Sequence, residues 1–161
     1  IALKMRAPGA RVVGIDPDPT VLGRAAAKAA NAGVQIEWRQ GFAHHVAAYD
    51  DEFDKAVCSL VFHQVALPEK MSGIAAMMKA VRPGGDVHIA DYATQPTWTM
   101  RQLFRTIQLL DGRENTQANA DGALERILGE LKNVTATASP GIVKTPTGAI
   151  TLFHVRKRAS G

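Results

Sequence analysis

Short β-branched runs alternate with stretches in which apolar residues recur three and four positions apart, from Val12 through Tyr92. That alternation narrows the fold to α/β layering around a mainly parallel sheet, because each strand–helix unit can bury its apolar surface only against its neighbours. Val12-Val13-Gly14-Ile15-Asp16 has the composition of a strand buried in such a sheet. Asp18 is placed to cap a helix with Pro19 at its first position, where the missing N–H has no intrahelical partner to lose. Leu22, Ala25, Ala26 and Ala29 mark that helix's apolar stripe, and Gly33 ends it.

Val34, Ile36 and Trp38 alternate as a second strand. Residues 54–61 read as a third, apolar on both faces and therefore expected at the centre of the sheet. Met71, Ile74, Ala75, Met78 and Val81 recur at helical spacing until Arg82-Pro83-Gly84-Gly85 breaks the pattern, and residues 87–92 form a fourth strand. The spacing predicts a helix over residues 97–110 with Met100, Leu103, Phe104, Ile107 and Leu110 on one face, ended by Asp111-Gly112. Asp121 is placed to cap one more helix, striped by Leu124, Ile127, Leu128 and Leu131. Two strands close the chain, residues 134–138 and 149–156. A turn region containing Pro140, Gly141, Pro146 and Gly148 joins them, and they are expected to pair antiparallel. The resulting order, β-α-β-β-α-β-α-α-β-β, ends unlike a regular dinucleotide-binding sheet.

The 161 residues form one domain, residues 1–161, large enough to bury a core without disulfide or metal staples. The single cysteine, Cys58, excludes an internal disulfide, reads as an inert strand residue and suits a reducing cytoplasm. No apolar run approaches the length of a bilayer span. The formal charge of +4 is spread over scattered basic residues, the densest group being Arg156-Lys157-Arg158. Without an aromatic-interleaved basic stripe, nucleic acid is not expected as a partner. His44 and His45 have no Cys or acidic residue at metal-ligand spacing, so no metal site is read there.

Ligands of open α/β sheets bind beyond the carboxyl ends of the strands. Asp16 ends the first strand, Gly41-Phe42-Ala43 follows the second, and Ser59 to His63 follows the third. A carboxylate at a strand end offers two acceptor oxygens to a vicinal diol. Asp16 equally suits the opening of a turn, and its position alone does not separate the two.

Four motifs come in order: Val-Val-Gly-Ile-Asp-Pro-Asp-Pro (12–19), Gly-Phe-Ala (41–43), Phe-Asp-Lys-Ala-Val-Cys-Ser-Leu-Val-Phe-His (53–63) and Val-Arg-Pro-Gly-Gly (81–85). Together they resemble the class I S-adenosylmethionine (SAM)-dependent methyltransferases, especially the small-molecule group containing the ubiquinone and menaquinone biosynthesis enzymes. The resemblance implies a Rossmann-like fold with a C-terminal antiparallel hairpin, SAM as cofactor, and methyl transfer to O, N or C of a small molecule. It further implies that Asp16 holds the ribose hydroxyls, that Pro17 packs near the adenine, and that Gly41, Phe42 and Ala43 border the adenine. Ser59 and Leu60 would lie beside the reactive methyl. Many relatives carry an acidic residue where this chain has Phe42, which points to stacking or backbone contacts instead. The family's first strand and Gly-x-Gly-x-Gly loop have no counterpart here. Residues 1–10 read as the tail of the helix after that loop, which makes the chain N-terminally incomplete.

Displacement at a sulfonium methyl needs alignment and exclusion of water, and a base only where the acceptor must lose a proton. His63, just past a central strand, is the candidate base; filling the loop and satisfying backbone groups is its other reading. Asp91 and Tyr92 end the next strand as acceptor contacts, caps or rim residues. The helix over residues 97–110 is a lid, ordinary packing or a homodimer contact, and Arg101 and Arg105 share one face of it. Two other functions compete: a nicotinamide-dependent oxidoreductase using Asp16, and a non-catalytic methyltransferase-like association module.

Overall fold

The computed structural model describes residues 1–137 and 141–159. It is a mixed α/β structure. A short helix α1 (Ala2–Arg6) leads to strand β1 (Val13–Asp16), helix α2 (Pro19–Asn31) and strand β2 (Glu37–Gln40). A 3-10 helix over Ala43–Tyr49 precedes β3 (Phe53–Ser59), and a second over Phe62–Gln64 precedes helix α3 (Leu67–Ala80) and β4 (Val81–Tyr92). Helices α4 (Trp98–Asp111), α5 (Arg113–Ala120) and α6 (Ala123–Gly129) follow. Strands β5 (Val134–Thr137), β6 (Gly141–Thr145) and β7 (Gly148–Lys157) finish the fold.

The first helix–strand unit forms as its residues dictate. Asp18 Oδ1 accepts from Thr20 N at 2.7 Å, and Pro19 sits at the first helical position. At the other end Gly33 adopts φ +65°, with Gly33 N donating to Ala30 O and Val34 N to Ala29 O. This Schellman closure explains why β2 starts at Glu37 and not at Val34, whose backbone is spent on the cap. β1 and β2 pair in parallel, and Gly14 faces Trp38 across the ladder, where a Cβ would collide with the indole ring.

The other strands form a separate five-stranded sheet, β3-β4-β7-β5, with β6 also paired to β7. β3 runs parallel to β4, while β4–β7, β5–β7 and β6–β7 are antiparallel. The expected antiparallel pairing of the last strands is present, with β6 added within the expected turn region. Ala138, the end of the expected strand, and Pro140 of the expected turn lie outside the described residues. β3 is not central: it is an edge of this sheet, and its Val57 is 55% exposed. Only its Ala56 and Cys58 pack inward, so the apolar run reflects one covered face and not two.

The core lies between one face of this sheet and helices α3 and α6, built from Ile74, Met77, Met78, Val87, Ile89, Leu124, Leu128, Phe153 and Val155. α3 is also covered by the first 3-10 helix, which turns its buried face toward Gly73, Ala76 and Ala80; Met71 and Ala75, expected inside, are exposed. On α4, Phe104 is buried, but Leu103 and Leu110, expected on the same face, are exposed, because the packed face runs through Met100, Phe104, Ile107 and Asp111. Asp121 ends α5, and Gly122, at φ +82°, occupies the cap position of α6. α5 escaped the sequence pattern because Arg-Glu-Asn-Thr-Gln-Ala-Asn-Ala carries no apolar stripe. No helix among the described residues is long and apolar enough to cross a membrane.

Candidate functional site

The carboxyl ends of β1 and β2 lie side by side: Asp16 is paired with Gln40, and Gly41 N donates to Asp16 O at 3.1 Å. Asp18 N donates to Asp16 Oδ1 at 2.8 Å, the one hydrogen bond to this carboxylate among the described residues. Asp16 therefore opens the turn with one oxygen and keeps the second available. Pro17 O accepts from the Gln40 side-chain amide at 3.1 Å, which ties the same turn to β2. Gly41 is buried, and a Cβ there would approach His45 Nδ1 to 2.9 Å. That nitrogen accepts from Phe42 N at 3.1 Å. The Phe42 ring is 56% exposed and stacks on His44 with ring centres 5.9 Å apart. An available carboxylate oxygen and an exposed aromatic ring thus occur at one pair of strand ends. Such a set suits a sugar diol joined to a heteroaromatic base.

The second group forms at the end of β3. Ser59 is exposed, and Leu60 takes a left-handed backbone, φ +56°, while donating from its N–H to Ala90 O at 2.9 Å. That conformation costs a non-glycine residue roughly 1–2 kcal/mol and persists only where surrounding contacts impose it. The contacts come from two buried charges. Asp91, fully buried, accepts from Val61 N at 3.0 Å and Phe62 N at 2.7 Å through one oxygen. The other oxygen accepts from Tyr92 N at 2.8 Å and lies 2.6 Å from His63 Nδ1. From the opposite side the fully buried Lys70 ammonium donates to the carbonyls of Phe62 and Val65, both at 2.5 Å, and of Asn115 at 3.2 Å. Asn115 Nδ2 donates back to Gln64 O at 3.0 Å. The loop is therefore held by a carboxylate on its N–H groups and an ammonium on its carbonyls.

His63 is buried within this loop, with Nε2 3.2 Å from Asp111 Oδ2 at the end of α4. Both ring nitrogens thus face carboxylates, joining the loop to β4 and to α4. Tyr92 is also buried; its ring meets His63 edge-on, and its hydroxyl lies 2.5 Å from Thr147 Oγ1. Burial lowers the Lys70 pKa to about 8 against the attraction of Asp91. Burial, assisted by the Asp91 charge, pushes the Cys58 thiol up to about 12, leaving it protonated and unreactive at neutral pH.

Gly73 of α3 connects the two groups. A Cβ on it would lie 3.0 Å from both the Ala43 Cβ and the Phe62 ring, so the turn after β2 and the loop after β3 rest on the same bare stretch of helix. Asp16 and Pro17 reach this contact through Gly41. Among the described residues no hydrogen bond joins Asp16 to Ser59 or Leu60. Lys70 and Asp111 were not anticipated. The signal for Lys70 was present, since it stands four residues before Ile74 and eight before Met78 on the apolar stripe of α3.

Away from these strand ends, Asp86, His88 and His154 bring ligand-type atoms within 4.8 Å of one another. Asp86 already meets Lys55 at 2.7 Å, Arg156 at 2.9 and 3.2 Å and His154 at 2.8 Å, hydrogen bonds that hold its carboxyl well below the usual range. Two cations on one carboxylate oppose the approach of a third.

The methyltransferase domain family profile matches residues 1–85, more than half of the chain. The chain is 40% identical over 77 residues to a ubiquinone biosynthesis O-methyltransferase of Methylobacterium sp. (strain 4-46), a match covering 48% of this chain and 30% of that protein. It is 30% identical over 105 residues to a demethylmenaquinone methyltransferase of Deinococcus radiodurans, covering 65% and 43% respectively. Across such curated relatives the chain spans between a quarter and about half of their length. A SAM-dependent methyltransferase from Methanosarcina mazei superimposes with TM-score 0.72 at 16% identity, over 99% of this chain and 88% of that one. The magnesium protoporphyrin IX methyltransferase of Synechocystis PCC 6803 with bound S-adenosylhomocysteine does so with TM-score 0.69 at 17% identity, over 93% and 65%. At these identities the structural likeness is one of fold, and it agrees with the Rossmann-like arrangement described above. By the match over its first 85 residues, the chain belongs to the methyltransferase domain family.

Proposed function

We propose that this chain is the core of a SAM-dependent methyltransferase acting on an O, N or C atom of a small molecule. One observation carries the reading: within a methyltransferase-family chain, the available Asp16 oxygen, the exposed Phe42 ring and the pinned Leu60 loop gather at the carboxyl edges of the strands. When bound, SAM supplies a methyl already activated by its sulfonium. Asp16 accepts from the ribose hydroxyls with its available oxygen, and the turn begun by Pro17 fixes that carboxylate's direction. Phe42 offers its ring to the adenine where relatives use an acidic side chain, with Gly41 and Ala43 keeping the backbone close.

Ser59 and Leu60 wall the reacting centre. Asp91, Lys70 and His63 keep that wall from moving, and alignment of this kind is where such transfers gain most of their rate. With both nitrogens committed to Asp91 and Asp111, His63 is a positioning residue in this reading and leaves the acceptor's proton to other groups.

The test is calorimetric titration of the protein with S-adenosylhomocysteine. Asp16→Asn keeps an oxygen for the Asp18 turn but weakens diol recognition, and binding is expected to fall by roughly tenfold or more, the worth of a charge-assisted hydrogen bond. Absence of binding, or equal binding by Asp16→Asn, would overturn the reading.

A further inference from the structure

Between α4, α5 and the segment after β4 lies a cleft of about 400 Å³ lined by three guanidiniums, those of Arg101, Arg105 and Arg113. This volume is of the size that encloses small molecules. None of the three arginines has a carboxylate within ion-pair distance among the described residues. The acid in the lining, Asp121, has one oxygen occupied by the Gln117 side-chain amide at 2.9 Å. Arg101 and Arg105 repel each other at i,i+4 spacing, a cost to α4 that the described residues do not relieve.

Two of the guanidiniums are already oriented. Arg101 Nε donates to Gln95 O at 3.2 Å and Arg113 Nε to Gln117 Oε1 at 3.5 Å, which leaves their terminal N–H groups for a ligand. Guanidiniums fixed in this manner match the paired oxygens of a carboxylate or phosphate, and a concave wall concentrates their field. The cleft lining begins at Thr94 and Gln95, directly after the carboxyl end of β4, whose parallel neighbour β3 ends at Ser59.

We propose that the α4–α5 cleft binds a small organic anion, carboxylate- or phosphate-bearing, as the acidic part of the methyl acceptor. The acceptor role rests on the methyltransferase reading; recognition of the anion does not.

The experiment titrates the 161-residue chain with citrate and, separately, with inorganic phosphate, following the arginine side-chain N–H resonances by NMR and the affinity by calorimetry. Arg105→Gln/Arg113→Gln is compared with Arg82→Gln, which removes a charge exposed elsewhere and paired with Asp54. Both changes are at exposed side chains, so the fold persists. The cleft variant is expected to weaken binding at least ~10-fold while Arg82→Gln stays within ~2-fold, as differently placed charges should. A response to citrate assigns a carboxylate ligand and a response to phosphate a phosphorylated one, and either supports the site. No resonance shift with either probe up to ~10 mM, a concentration that still reveals millimolar binding, overturns the proposal, as does equal loss in Arg82→Gln. S-adenosylhomocysteine titrated in parallel keeps the two claims apart. Anion binding by a protein that does not take up this nucleoside overturns the acceptor role alone.

Discussion

Replacing Asp91 by alanine tests how the β3-end loop is held. The carboxylate accepts from three backbone N–H groups, those of Val61, Phe62 and Tyr92, and contacts the ring of His63, in a place with no exposed surface. A buried donor left unpaired costs roughly 1–3 kcal/mol, and removing one side of a buried charged pair about 3–5 kcal/mol. Water entering the vacated space recovers part of this, which sets the expected loss for Asp91→Ala near ~4 kcal/mol. At this chain length that is roughly 8–16 °C in melting temperature, at about 2–4 °C per kcal/mol.

Asp91→Asn sharpens the test. Its carbonyl still serves Val61 and Phe62, while its NH₂ meets the Tyr92 N–H as donor against donor. The expected loss is therefore intermediate, about 2 kcal/mol. Urea unfolding of the three proteins gives the numbers. The His63→Ala change, alone and combined with Asp91→Ala, isolates the His63–Asp91 coupling. An Asp91→Ala protein within ~1 kcal/mol of the parent, or Asp91→Asn less stable than Asp91→Ala, would refute the claim that this acceptor pins the loop.

Two further outcomes follow from the geometry. Gly14→Ala drives a Cβ into the Trp38 indole and is expected to cost about 2 kcal/mol, as overpacking does; in a Trp38→Ala background most of that cost should vanish in thermal melts. Lys70 titrates near 8 when folded against 10.5 for the free side chain, so between these values the unfolded chain holds a proton that the folded one has released. Stability from this residue then rises with pH from about 8 to 10.5, and unfolding curves of the parent should gain on Lys70→Met across that window. Parallel curves would count against a strained buried ammonium.

Local elements were legible where one residue type answers one backbone need. Asp18, Pro19 and Gly33 bounded α2 because a cap oxygen, a missing N–H and a left-handed φ are requirements that few residues meet. What escaped was set by partners distant in sequence. The apolar run of β3 suggested a strand covered on both faces, but the number of covered faces depends on which elements pack there, and no local pattern encodes that. α5 is polar along its length, and its buried Thr116 hydroxyl and Asn119 NH₂ donate to Gly112 O and Tyr92 O. Hydrophobic periodicity has no means of registering such a helix.

The same division runs through the site. The residues that would touch a ligand, Asp16, Phe42 and Leu60, were legible because ligands of open sheets meet strand ends, and strand ends can be read from short runs. Those that hold the site could not be ranked in this way. Lys70 stood on an apolar stripe, where a lysine usually extends its charge to water; here it is closed in by α5, a helix invisible to the pattern, and turned onto the carbonyls of Phe62, Val65 and Asn115. His63 had two readings until α4 placed Asp111 against it. In both cases the deciding contact comes from residues 98–120, a region where the resemblance to the family is loose. The strained Leu60 turn belongs to the half of the chain that the family profile matches, yet part of its restraint comes from the half beyond that match. Exchange of α4 and α5 for another pair of helices would therefore alter the arginine-lined cleft and the hold on the Leu60 turn together.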